Sequence, residues 1–188
     1  MKVKNKYVLK FREIIYLFSE DLSATQISHL TRLSRQTINK YLAAIRLRIL
    51  KLSLLQSDPL VGQIEVDESY FSAGSAPWVR RVRGKRGRGA RGKTIVFGLL
   101  KQGDEVYTEV VPDCKSATLQ RIIKGNSHIN GIELFWGYTK IRLVKFKGMN
   151  KSMFNLHLKE CEFRFNNYKQ NIYKILLVIF IKESLKLP

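Results

Sequence analysis

The stretch Ile64-Glu-Val-Asp-Glu-Ser-Tyr-Phe71 sets three carboxylates within four residues. Alternation along a strand sends Ile64 and Val66 to one side and Glu65 and Asp67 to the other, with Glu68 falling with the apolar set. Tyr70 and Phe71 add aromatic strand formers. Downstream, Lys93-Thr-Ile-Val-Phe-Gly-Leu-Leu100 is β-branched and apolar. Lys101-Gln-Gly-Asp104 has the composition of a hairpin turn, and Glu105-Val-Tyr-Thr-Glu-Val-Val111 alternates as a returning strand. Three consecutive strands in a meander are expected, with the carboxylates on the first.

The rest of the chain is strongly basic. Its 188 residues carry 34 Lys+Arg against 15 Asp+Glu, a formal net charge of +19. Such a chain repels itself unless it meets a polyanion, so nucleic acid is the leading partner. With 45% hydrophobic residues it can bury a core, which argues against global disorder. The only two cysteines, Cys114 and Cys161, form no zinc-like spacing, and a reducing cytosol suits them. The start, Met1-Lys-Val-Lys-Asn-Lys6, lacks the apolar run of a signal peptide. The longest apolar run, Ile175–Ile181, is too short to span a bilayer and reads as a buried helix or strand.

Residues 1–56 read as helical, 61–112 as strands with glycine-rich punctuation, and 116–188 as helical again, with a linker near Ser57-Asp-Pro59. Phe11, Ile14, Ile15, Leu17 and Phe18 give one amphipathic helix. Leu22-Ser23-Ala24 opens a second, carrying Ile27 and Leu30. After a turn at Thr31-Arg32-Leu33, Ser34 can cap a third with Ile38, Tyr41, Leu42 and Ile45 inward. Two short helices and a tight turn fit a helix-turn-helix whose second member enters the major groove. Arg35, Gln36, Asn39 and Lys40 then face bases or phosphates. The plainer reading is a helical hairpin with a charged outer face, and Arg32 occupies a turn position often taken by glycine.

Between the first two strands, Arg80, Arg81, Arg83, Lys85, Arg86, Arg88, Arg91 and Lys93 interleave with glycines, and no residue of the tract is acidic. The tract is either a phosphate-gripping loop beside metal-holding carboxylates or a solvated cationic stretch without selectivity. In His128-Ile-Asn-Gly-Ile-Glu-Leu-Phe-Trp-Gly-Tyr-Thr-Lys140, Glu133 stands three residues after Asn130, which is capping-box spacing. Trp136 and Lys140 fall on the side of Glu133. Glu133 therefore serves the helix start or reaches a metal held by Asp67, and spacing alone leaves both open.

Taken in order, IEVDESYF, RGKRGRGARGKTIVFGLL, VYTEVVPD, ATLQRII, HINGIELFWGYTK and HLKECEFRFNNY resemble the bacterial insertion-sequence transposases of the ISXO-like DDE group, over roughly residues 7–175. The resemblance implies an α+β or α/β chain: a helix-turn-helix region (1–56), then an RNase H-like catalytic domain (61–175) with C-terminal helices, and a tail (176–188). It implies two divalent ions, Mg²⁺ or Mn²⁺, held by three acidic residues, of which Asp67 and Glu133 match the first and third. Lys140 and the Arg/Gly tract would hold phosphates. The implied partners are the element's terminal inverted repeats and target DNA, with homo-oligomers on DNA, in a bacterial cytoplasm and away from any membrane.

The departure lies between the ATLQRII and HING motifs, where the family places a further strand with the second Asp. Here Lys124-Gly-Asn-Ser-His128 joins them directly, without an Asp, and Asp67 and Glu133 stand only 66 positions apart. Asp104 and Asp113 sit in a turn and at a strand end, so neither replaces the second acid. An internal deletion at about 125–128, a defective metal site and an exposed sheet edge are the expectations. The alternatives are a DNA-binding remnant that competes at element ends, or a basic nucleic-acid binder without chemistry.

Overall fold

The structure, a computed structural model, describes residues 2–55, 64–71, 93–101, 105–113, 115, 132–146 and 149–182. The chain divides into two compact units, Met1–Lys51 with Asn167–Pro188, and Leu52–Asn166. Among the described residues no helix is long and apolar enough to cross a membrane.

In the first unit, α1 (Lys2–Ser19), α2 (Ala24–Thr31) and the start of α3 (Arg35–Leu55) turn apolar residues three and four apart into one core. Ile14, Ile15, Phe18, Ile27, Ile38, Leu42 and Ile45 are all sealed from solvent. Each helix start has a local cause. Ser23 Oγ accepts from the Gln26 N–H, and Gln26 Oε1 accepts from the Ser23 N–H at 2.9 Å, a reciprocal box that stabilises α2 by about 1 kcal/mol. Ser34 Oγ accepts from the Thr37 N–H at 3.1 Å and opens α3 as its sequence position suggests. Leu30 departs from expectation and is 58% exposed, while Thr31 is buried instead. Thr31 lies four positions from Ile27, nearer its face than a residue three away, and its hydroxyl donates to the Ile27 carbonyl at 2.7 Å. Tyr41 is half-buried rather than sealed, against Phe11 with ring centroids 5.8 Å apart.

The C-terminal apolar run forms a helix, α6 (Ile172–Lys182), begun by Asn171 Oδ1 accepting from the Lys174 N–H. Its Leu176 and Phe180 are buried, four residues apart on one face. Phe11 meets Phe180 edge-on at 5.3 Å and Tyr16 meets Tyr173 at 5.6 Å, so this run has partners in α1.

The second unit is built on a three-stranded antiparallel sheet, order β1-β2-β3, with β1 Ile64–Phe71, β2 Thr94–Lys101 and β3 Glu105–Val111. This is the expected meander. Its central strand is covered on both faces, which explains why residues 95–100 read as continuously apolar. On one face Phe71, Val96, Leu100 and Val106 pack with Ile132, Phe135, Trp136 and Leu143 of α4 (Ile132–Leu143) and Phe154, Leu158 and Cys161 of α5 (Phe154–Asn166). On the other, Ile95, Phe97, Leu99 and Val111 cluster with Val66 and Tyr107.

Helix α5 also closes the edge of β3 with side chains. Asn166 Oδ1 accepts from the Val106 N–H and its Nδ2 donates to the Val106 carbonyl, both at 2.8 Å. Glu162 Oε2 accepts from the Thr108 N–H at 2.8 Å and the Thr108 hydroxyl at 2.7 Å. The match is geometric: four helical residues rise about 6 Å, and two strand residues advance about 6.7 Å. Positions 162 and 166 therefore meet 108 and 106 in turn. Glu162 also takes Lys159 Nζ at 2.8 Å and the Ser53 hydroxyl at 2.7 Å, so this buried carboxylate is saturated. Two residues before Glu162, Glu160 is shared by buried Arg142 and Arg164.

Replacing Asn166 with Leu keeps the volume but orphans both main-chain groups of Val106. It is expected to destabilise the protein by about 1–3 kcal/mol in urea titration. Burial, reinforced by Glu109 and Glu162, raises the Tyr107 phenol above its ordinary 10.0. A raised acid holds its proton more tightly when folded. Its contribution is therefore complete below pH 10.0 and fades as the pH climbs through the folded value. Denaturant midpoints on either side of that pH check this, with Tyr107→Phe removing the difference.

Candidate functional site

Strand alternation places Glu65 and Asp67 together on the face that α4 covers, while Glu68 lies exposed on the opposite side. Opposite Asp67 on β2 stands Gly98. A Cβ there would lie 2.5 Å from Cζ2 of Trp136 and 2.8 Å from Cδ1 of Ile132, so only glycine lets α4 approach this closely. The indole thereby reaches the acid: Trp136 Nε1–H donates to Asp67 Oδ2 at 3.1 Å. The other oxygen, Oδ1, accepts from the Glu68 N–H at 2.8 Å. Phe71 and Phe135 flank the indole with ring centroids at 6.2 Å and 5.1 Å.

Glu65 has a parallel task. Its Oε2 accepts at 3.0 Å from the N–H of Ile132, the first residue of α4. That donor has no partner within the helix, and the positive end of the helix dipole favours an anion there. Two carboxylates of β1 thus seat α4, one at its first residue and one a turn later.

Glu133 sits in that same first turn but is exposed, and it forms no hydrogen bond or ion pair with another described residue. Trp136 turns towards the sheet, whereas Glu133 and Lys140 face outward. The three therefore do not form the single functional face that their spacing suggests. The structure brings the turn bearing Glu133 against β1 without gathering its carboxylate with Asp67. Among the described residues, no three His, Cys, Asp or Glu side chains converge to hold an ion. The residues present do not fit a two-metal centre: the β1 acids are engaged by N–H donors of β1 and α4. Asp113 lies at the end of β3, where its Oδ1 accepts from the Lys115 N–H at 3.2 Å. Arg80, Arg81, Arg83, Lys85, Arg86, Arg88 and Arg91 lie outside the described residues, as do Asp104, Asn130 and the segment 124–128. Lys93 is half-buried just before β2.

A second surface collects the other named side chains. Arg35, Gln36, Asn39 and Lys40 are all exposed in the first turns of α3, spaced one, four and five apart along one stripe. The turn before them is firmly held. Ser28 Oγ donates to the Leu33 carbonyl at 2.6 Å, and Lys10 Nζ donates to that of Thr31 at 3.2 Å.

Comparison with known proteins places this geometry. A model of the ISXO2-like transposase domain matches residues 59–127, a stretch that holds all three strands. An uncharacterized transposase-like protein of Haemophilus influenzae is 33% identical over 119 residues, covering 97% of that protein and 43% of this chain. The chain belongs to the insertion-sequence transposases of the DDE group. No solved structure matches this transposase significantly. The 119 aligned positions exceed 43% of its 188 residues, so part of the relative's length faces no residue here.

Sequence reasoning missed the roles of Glu65 and Gly98. The glycine inside a strand was the available signal, because such a glycine marks a close approach. Gly98→Ala is expected to destabilise the transposase by about 1–3 kcal/mol through overpacking. In a double-mutant cycle with Trp136→Leu the loss should shrink, since the indole is the group it strikes.

Proposed function

We propose that this chain is a catalytically defective transposase that retains DNA binding. In this reading the second unit is an RNase H-like domain whose second catalytic Asp was removed, with at least one core strand, by an internal deletion at about 125–128. Asp67 and Glu133 are the remaining first and third acids, and Lys140 with the Arg/Gly tract is what is left of the phosphate grip. The observation that carries the reading is the engagement of Glu65 and Asp67 by α4, with no third acid beside them among the described residues. The family match that stops at residue 127, and the relative's positions that face no residue here, support the deletion. Each carboxylate of a two-metal site offsets charge and fixes coordination positions for Mg²⁺ or Mn²⁺, so loss of one removes strand cleavage and transfer.

The first unit is read as a helix-turn-helix, with α3 lying in the major groove. Exposed Arg35 and Lys40 suit phosphates or guanine, and Gln36 and Asn39 suit adenine. A net charge of +19 supplies the attraction. Such a chain would occupy the terminal inverted repeats of its element and compete there with intact copies, alone or as an oligomer with them.

Two measurements test this. With pre-cleaved element ends and Mg²⁺ or Mn²⁺, no strand transfer above background is expected. Product that disappears in Asp67→Ala would overturn the defect. In gel shifts, the terminal repeats are expected to bind more tightly than random duplex, and Gln36→Ala with Asn39→Ala should remove that preference at about 1–3 kcal/mol per base contact.

A further inference from the structure

Among the described residues, two other than glycine have positive φ, Asp21 at 58° and Arg32 at 56°. The left-handed conformation is tolerable for Asp21, whose short polar side chain belongs to the types that visit it. Arg32 has no such reason. It ends α2 at φ 56° and ψ 28°, where a glycine would sit without strain. It is exposed, and among the described residues its guanidinium makes no hydrogen bond or ion pair. The turn that carries it is held by Ser28 on the Leu33 carbonyl and by Lys10 on that of Thr31, so the backbone presents the side chain in a fixed place. Three residues later begins the exposed stripe of Arg35, Gln36, Asn39 and Lys40.

We propose that Arg32 is a phosphate contact for duplex DNA, set at the elbow so that it grips the backbone beside the groove occupied by α3. This rests on the reading of the first unit as a DNA-binding unit and deepens it. A cation held on a rigid turn next to a base-reading helix fixes register without reading sequence. Strain kept at such a place is consistent with use of the side chain, because glycine would relieve it.

The test uses the full chain, a duplex bearing the element's terminal repeat and a scrambled duplex, with affinity measured across a salt series. Arg32→Gly is expected to raise the melting temperature by a few degrees. It should weaken both duplexes by the same factor and lower the slope of log affinity against log salt by about 0.9, the value for one lost phosphate. Arg32→Asn, which tolerates the left-handed turn without charge, should lose the same slope, and Arg32→Lys should keep it. An unchanged slope in the Gly variant, or an equal loss in the Lys variant, overturns the proposal. Gln36→Ala keeps the two readings apart. If it alters the preference for the terminal repeat while Arg32→Gly leaves the slope intact, only the role of Arg32 falls. A wild-type chain without salt-dependent duplex binding sinks the DNA-binding reading itself.

Discussion

The second unit depends on the seating of one helix by two carboxylates. Glu65 and Asp67 project from the same side of β1 and take an N–H each from α4, one from the main chain of Ile132 and one from the indole of Trp136. A side chain at position 98 of β2 would collide with Trp136 and Ile132, the two residues that donate these bonds. The absent Cβ, the indole above it and the acid across the strand act together. This geometry accounts for acidic residues on a half-buried strand of a basic protein. They offset the positive end of a helix and satisfy two donors that the core would otherwise leave unpaired.

That arrangement also places the transposase between two roles. Among the described residues no third acid stands beside Glu65 and Asp67, and the strand that carries them holds a helix. The hydrophobic layer around Phe71, Phe135, Trp136 and Leu158 does not depend on catalytic chemistry. The sheet and the helices packed on it therefore hold together without calling on any catalytic role of Glu65 or Asp67.

Much of this was legible in the residues, for physical reasons. The meander followed from period-two alternation and from a β2 run apolar on both faces. The start of α3 followed from Ser34, and the odd turn from Arg32, which does adopt the conformation that glycine prefers. What stayed hidden involves groups distant in sequence. Capping-box spacing near Glu133 pointed to Asn130, whereas the partner of the first N–H of α4 is Glu65, 67 positions earlier. Helical spacing grouped Glu133 with Trp136, but packing over Gly98 drew the indole inward and left the carboxylate in solvent. No local pattern indicates that α6 should meet α1 through Phe180 and Tyr173. Nor could it show that polar residues of α5 would pair with the main chain of β3.

That last feature limits how the molecule can associate. With Glu162 and Asn166 occupying the ladder positions of Thr108 and Val106, the outer margin of the sheet is already spoken for. A visiting strand would have to pry off an entire helix to align there. Any association of this chain with other copies must therefore use means other than sheet extension past β3, and the same blockade protects that margin from runaway stacking into fibrils.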